Sequence, residues 1–425
     1  MSATLFECIS SGFVGARGRV PFQSTYHMGE WIERGVRSQR KTGGEKRKVT
    51  SLNRLACVKC NQSFSLKEKI WKCTCGGLLN IQFQPAFPLE KIKKRKPTLW
   101  RYREAIPISG DQNIISFDEG FTPLLPVDFN GKTVWLKQDH LFPTGSYKDR
   151  GASVLMSKVK ELGIQKVVED SSGNAGCAIA AYSAQAGIQS EIYVPQTTSP
   201  GKLAQIQSYG ASLKKIPGSR EDTAKAVWTA AQKDYYASHS WNPFFFQGTK
   251  TLAFEVWEQL DWKAPDTIIV PVGNGTLLLG AWLGFGELLE SGMIRETPRI
   301  IGVQSILCAP LVKAFQEGLK RLPSVHSRET LAEGIAIAEP VRGEQILEAV
   351  KKSGGGFIAV DDEEIKKSLR WIFRKGFYIE PTSAATVAGI FKYLENSDPE
   401  EIIVSVLTGH GLKATEKILK TLGEP

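Results

Sequence analysis

From residue 133 to the C-terminus, short strand-like apolar runs alternate with longer helix-like runs. That alternation restricts the chain to doubly wound α/β architecture with largely parallel sheets. The strand-like runs are 134–137, 166–169, 191–194, 213–216, 267–272, 299–303 and 402–407. In folds of this kind ligands gather beyond the carboxyl ends of strands, in the loops that lead into the next helix. Three of those loops stand out here. Asp170-Ser171-Ser172-Gly173-Asn174-Ala175-Gly176 opens a helix-like run with small residues that let a bound anion approach the backbone. Gly273-Asn274-Gly275-Thr276 does the same after 267–272, with a spacing that is neither Walker nor dinucleotide-binding and suits a single phosphate. The final strand-like run ends in Thr408-Gly409-His410-Gly411, where glycines on either side can aim a hydroxyl into a cleft.

A fourth turn carries the most reactive candidate. In Phe142-Pro143-Thr144-Gly145-Ser146-Tyr147-Lys148-Asp149-Arg150-Gly151, Pro143 and Gly145 interrupt any regular element, and Ser146 is a good N-cap. Val154, Leu155, Val159 and Leu162 then follow at helical spacing. The pattern predicts a lysine held at a helix mouth. Alone it reads as an ordinary first-turn lysine; the three ligand loops overturn that reading and make Lys148 the expected centre of chemistry.

The front of the chain is different. Residues 1–103 carry 21 Lys/Arg against 6 Asp/Glu, and residues 104–425 carry 33 against 38, so the overall charge of +10 belongs to the front alone. Polyanion binding is therefore weakly indicated for the body. Residues 1–50 lack periodicity and are expected to be flexible. Cys57-Val-Lys-Cys60, twelve residues, and Cys73-Thr-Cys75-Gly76-Gly77 can set four thiolates tetrahedrally around one structural zinc ion. The remaining cysteines, Cys8, Cys177 and Cys308, are isolated, which suits a reducing compartment. No secretory or membrane-spanning pattern is present in the sequence, and a cytoplasmic protein is expected.

A helix-mouth lysine, a single-phosphate loop, an anion-binding Ser/Gly/Asn loop and a strand-end threonine together match what pyridoxal 5′-phosphate requires. From about Leu55 onward the sequence resembles the fold-type II pyridoxal-phosphate enzymes, and within them the threonine synthases. The resemblance rests on Asp118-Glu-Gly-Phe-Thr-Pro-Leu124, Gly145-Ser-Tyr-Lys-Asp-Arg-Gly151, Ser171-Ser-Gly-Asn174, Gly201-Lys-Leu-Ala-Gln205, Glu380-Pro-Thr-Ser-Ala-Ala385 and Leu407-Thr-Gly-His-Gly-Leu-Lys413. Tyr147, where the family usually has Phe, and Ser-Ser-Gly-Asn-Ala in place of Ser-Thr-Gly-Asn-Thr are departures. The resemblance implies that Lys148 carries the cofactor aldehyde and shuttles the substrate proton. It gives the cofactor's ring oxygen to Asn174, its phosphate to Gly273, Asn274, Gly275 and Thr276, and its ring nitrogen to Thr408. Ser171, Ser172 and Gly173 would face the substrate carboxylate, with Ser146, Arg150 and Lys202 as candidates for a substrate phosphate.

The activity implied is a lyase reaction, O-phospho-L-homoserine and water giving L-threonine and phosphate. Alternatives are a serine/threonine dehydratase, a diaminopropionate ammonia-lyase, a β-replacement enzyme, or a nucleic-acid-binding protein with a degenerate enzyme body. The expected layout is a flexible basic segment at 1–50, a zinc-ribbon-like module at 51–85, a large cofactor-binding α/β domain at 86–165 and 240–425, and a smaller α/β domain at 166–239. A homodimer acting on a small amino-acid substrate, with neither nucleic acid nor membrane as partner, completes the expectation.

Overall fold

The computed structural model describes residues 53–198, 200–218 and 220–423, without the side chains of 200–202 and 220–221. The segment 1–50, expected to be flexible, lies outside them. Two open sheets form the body of the chain. The larger has the strand order β12-β11-β10-β13-β5-β4, from β4 (Leu124–Phe129), β5 (Lys132–Lys137), β10 (Thr267–Pro271), β11 (Arg299–Ser305), β12 (Gly356–Val360) and β13 (Ile403–Val406). All its pairings are parallel except β4 with β5. That hairpin turns at Asn130 and Gly131, both at positive φ (57° and 93°), as a two-residue turn between twisted strands requires. Pro126 confines β4 to the sheet edge, because it removes a ladder donor. The smaller sheet is fully parallel, in the order β8-β7-β6-β9, from β6 (Lys166–Glu169), β7 (Gln189–Pro195), β8 (Ser212–Ile216) and β9 (Tyr235–Tyr236).

β10, Thr-Ile-Ile-Val-Pro, is buried at every position, as a strand covered on both faces must be. It lies between β11 and β13, so the loop leaving its carboxyl end opens into the interior of the fold. The strands that the sequence pattern did not suggest are short, hold a proline, or follow the Ser353-Gly-Gly-Gly run before β12. Among the described residues no helix is long and apolar enough to cross a membrane.

The cysteine-rich front folds as a three-stranded antiparallel sheet with β1 (Arg54–Cys57) between β2 (Ser63–Ser65) and β3 (Leu79–Gln82). Leu55, Cys57, Trp71, Cys73 and Leu79 of this module share one apolar cluster with Tyr236, Phe244 and Phe245 of the body. The module is thus built into the core rather than tethered beside it.

Candidate active site

The helix Lys148–Glu161 begins at Lys148 itself, with Tyr147 rather than Ser146 at its N-cap. The chain before it is pinned from two sides: Tyr147 N–H donates to the Thr408 carbonyl (3.0 Å), and His410 N–H to the Gly145 carbonyl (2.9 Å). Lys148 Nζ donates to Tyr147 Oη (2.8 Å) and to Thr276 Oγ1 (2.9 Å), and these two hydroxyls are 2.8 Å apart. The Lys148 ammonium therefore faces the first residue of the helix Thr276–Glu290. Around it lies a cavity of about 300 Å³, lined by Lys148, Ser171, Ser172, Gly173, Asn174, Gly273, Asn274, Gly275, Thr276 and Thr408. The tertiary fold thus brings the lysine and three distant loops to one place.

The loop after β10 is locked from below and above. Gly275 has φ +74°, and a Cβ there would lie 2.3 Å from Ile346 Cδ1. At Gly273 a Cβ would press on Ile335 Cα and the Gly334 carbonyl at 3.0 and 3.1 Å. No side chain caps the Thr276 helix, which leaves its first-turn N–H groups to a ligand. Asn274 is held by His239, whose Nε2 is 3.3 Å from Asn274 Nδ2 and whose Nδ1 is 2.8 Å from Glu169 Oε1. Burial of Glu169, with Asp170 beside it, drives its carboxyl well above the usual glutamate range.

Asn174 Nδ2 donates to both carboxylate oxygens of Glu380 (3.2 and 3.1 Å). Burial raises the Glu380 carboxyl, against the pull of the Asn174 amide and the charges of Lys413 and Lys148. Gly409 makes room for that carboxyl, since a Cβ there would fall 2.2 Å from Glu380 Cδ. Thr408 Oγ1 is 2.8 Å from Ser383 Oγ, which also accepts the N–H groups of Thr408 and Gly409. In the sequence Glu380 stands only as the first residue of the Glu380–Ala385 run; Gly409, directly after Thr408, is the signal that a bulky side chain shares that space.

Two expected phosphate ligands are corrected. Arg150 is fully buried and does not line the cavity: Nε and Nη2 donate to Asp139 (2.7 and 2.8 Å), and Nη1 and Nη2 to Glu255 (2.6 and 2.9 Å). Burial opposes that guanidinium's charge, but Asp139 and Glu255 overcome it and raise its proton affinity. In turn Arg150 and Lys137 hold Glu255 at about 2 despite the burial that would raise it. Arg150 is two residues beyond Lys148 on the helix, and the 100° step per residue turns it away from the cavity. Ser146 is also fully buried, with an Oγ that has no hydrogen-bond partner among the described residues, and does not line the cavity. Lys202 belongs to the helix Pro200–Ser208, but its side chain lies outside those described. In their place Lys413 and Lys417 reach the cavity wall. Lys413 Nζ donates to the Thr144 carbonyl (2.8 Å) and Gln205 Oε1 (2.6 Å), and Lys417 pairs with Glu333 (3.3 Å).

In the front module the four sulfurs of Cys57, Cys60, Cys73 and Cys75 lie within 4.8 Å of one another, unbridged. Gly77 presses against this cluster, where a Cβ would come 2.7 Å from Cys57 Sγ.

A helix-start lysine hydrogen-bonded to an uncapped, glycine-built helix start beside one cavity suits an enzyme that anchors a phosphorylated carbonyl compound. Residues 115–409 match the pyridoxal-phosphate dependent enzymes, and the chain belongs to that family. Its relatives include the threonine synthase of Methanocaldococcus jannaschii, 38% identical over 384 residues that cover 87% of this chain and 95% of that protein. The threonine synthase of Methanosarcina acetivorans is 34% identical over 385 residues, again 87% and 95%. Among solved structures, threonine deaminase isoform 2 from Solanum lycopersicum shares the fold, with a TM-score of 0.61 over 72% of this chain and 84% of that one at 21% identity.

Proposed function

We propose that the chain is a threonine synthase, a lyase that converts O-phospho-L-homoserine and water to L-threonine and phosphate. The observation that carries this reading is the meeting of Lys148 with the Thr276 helix start in one cavity, in a chain alignable with threonine synthases over nearly their whole length.

The residues fit pyridoxal 5′-phosphate. Gly273 and Gly275 let the loop backbone pack where a Cβ would strike Ile335 and Ile346, and the uncapped first turn of the Thr276 helix supplies N–H donors for a phosphate. Asn174, Gly273, Asn274, Gly275, Thr276 and Thr408 would hold the group, with Lys148 as its covalent attachment. When bound, it supplies an electrophilic aldehyde and an electron-withdrawing ring that acidifies the substrate's Cα–H.

Lys148 Nζ, oriented by the hydroxyls of Tyr147 and Thr276, takes the Cα proton and moves the proton at Cβ. The neutral Thr408–Ser383 pair sets no negative charge where the ring nitrogen would lie, which favours elimination and replacement along the side chain over transamination. Ser171, Ser172 and Gly173 receive the substrate carboxylate at the start of the helix Asn174–Ala186. Lys413 and Lys417 supply positive charge toward the substrate phosphate, which leaves Cγ as the Cβ proton is removed; Cγ then gains a proton to become the methyl group, water gives its hydroxyl to Cβ, and the Cα proton is returned. The four cysteines of the front module hold one structural zinc ion, closed to substrate by four protein ligands.

The test is to incubate cofactor-loaded protein with O-phospho-L-homoserine and quantify phosphate and threonine together. Equal yields that vanish in Lys148→Ala are expected; cofactor absorbance without either product would overturn the assignment of substrate. For the zinc ion, elemental analysis should find about one per chain, lost in Cys57→Ser.

A further inference from the structure

Arg342 is 3% exposed, and among the described residues it forms no ion pair. All its hydrogen bonds go to neutral oxygens. Nε donates to the Ser240 carbonyl (3.0 Å), Nη1 to Asn80 Oδ1 (3.0 Å) and Gln345 Oε1 (2.8 Å), and Nη2 to the carbonyls of Leu79 and Trp241 (both 3.0 Å). Its guanidinium also lies over the Phe246 ring, 4.6 Å from the centroid. Burial pushes its pKa down to about 9, with no carboxylate to offset it. Burying a charge is costly unless hydrogen bonds satisfy it, and here five neutral oxygens accept from the guanidinium.

Two of the three elements it joins touch the glycine loop of the cavity, and the third is the cysteine-rich module. Leu79 and Asn80 belong to β3 of the cysteine-rich module. Ser240 and Trp241 directly follow His239, the residue beside Asn274 in the glycine loop. Gln345 sits on the helix Gly343–Lys352, which also carries Ile346, the side chain against Gly275. A second route leaves the same module through Trp71, whose ring meets those of Tyr236 (5.0 Å) and Trp241 (5.8 Å) edge-on. Tyr236 Oη donates to Asp170 Oδ1 at 2.6 Å, and Asp170 opens the Ser171–Asn174 loop.

We propose that the cysteine-rich module is a positioning element of the active site, with Arg342 setting the glycine loop and Trp71 the Ser171–Asn174 loop. The planar fork of Arg342 reads three backbone carbonyls and two side-chain oxygens at fixed angles, which a lysine's single ammonium cannot copy. Displacements well under 1 Å at such loops are expensive, because ligand groups bind at hydrogen-bond distance. The inference rests on the reading of the cavity as a pyridoxal-phosphate site.

The experiment compares wild-type protein with Arg342→Lys and Trp71→Leu. It titrates pyridoxal 5′-phosphate into cofactor-stripped protein by absorbance, measures the thermal midpoint and metal content of each, and determines KM for O-phospho-L-homoserine. Arg342→Lys is expected to weaken cofactor affinity on the order of tenfold with metal content unchanged. Trp71→Leu is expected to raise KM more than it weakens cofactor affinity. If both variants only lower the thermal midpoint, leaving both constants within about twofold of wild type, the module is a stabilising attachment and the inference is overturned. Should Arg342→Lys fail to fold, Asn80→Ala removes one acceptor and reads the same affinity: unchanged binding overturns the inference, and weakened binding supports it. Failure of wild-type protein to bind the cofactor would sink the underlying reading of the cavity instead.

Discussion

Two loops face each other across the cavity, and they are built in opposite ways. The loop from Pro271 to Thr276 leaves a strand buried at every position, and of its six residues only Asn274 is not buried. In the loop from Ser171 to Asn174, every residue keeps some exposure, and Gly173 is open to solvent. A Cβ at Gly275 would strike a buried isoleucine, whereas one at Gly173 would meet nothing closer than 4.0 Å. The difference teaches where a permanently held group belongs and where a passing one does. The packed loop is shaped once, by the fold; the open loop, apart from its last residue Asn174, keeps room to adjust to a substrate that enters and leaves.

The sharpest way to break this contrast is to fill the packed loop. Gly275→Val imposes positive φ on a β-branched residue, at about 1–2 kcal/mol, and overpacks Ile346, at about 1–3 kcal/mol. Cofactor affinity should fall by about a hundredfold or more, read by absorbance titration. Valine at Gly173, by the same measurement, should cost far less.

The next test concerns the turn between the two sides. The Thr144 carbonyl accepts from Gln205 Nε2 on the small-sheet side and from Lys413 Nζ beyond β13, while Asp149 holds the Thr144 N–H (2.8 Å) and hydroxyl. Burial raises the Asp149 carboxyl from 3.8 to about 7, against the bonds from Thr144. The unfolded chain then loses this proton at lower pH than the folded chain does, so ionisation favours unfolding. Its contribution to stability is full below about pH 4 and is lost as pH rises through about 7. Denaturant midpoints between pH 5 and 8 should therefore decline less steeply in Asp149→Asn than in wild type. Some decline remains in the variant, because burial also raises Glu287 to about 7, offset in part by Lys250.

The smallest effect belongs to the open loop. Ser172→Ala should raise KM for O-phospho-L-homoserine about tenfold, the lower end of the worth of one hydrogen bond to a charged group. Cofactor affinity should stay unchanged. A matching loss of cofactor affinity would show that the two loops are not separate in their duties.

What the amino-acid sequence determined by itself is whatever depends on neighbours along the chain. The strand and helix alternation, the glycines of 273–276, the small residues of 171–176, the two cysteine pairs and the lysine after Pro143 and Gly145 are all local patterns, and the backbone conformations they demand follow from φ/ψ sterics and capping. What only the tertiary structure decided are the partnerships across distance. Arg150 meets Glu255 from 105 residues away, Asn174 meets Glu380 across 206, His239 meets Glu169 across 70, and Arg342 meets Leu79 across 263. An arginine two positions after the reactive lysine reads in sequence as a phosphate ligand. The 3.6-residue turn of the helix instead points it at two buried carboxylates, and a charge excluded from water must stay with its counter-charges.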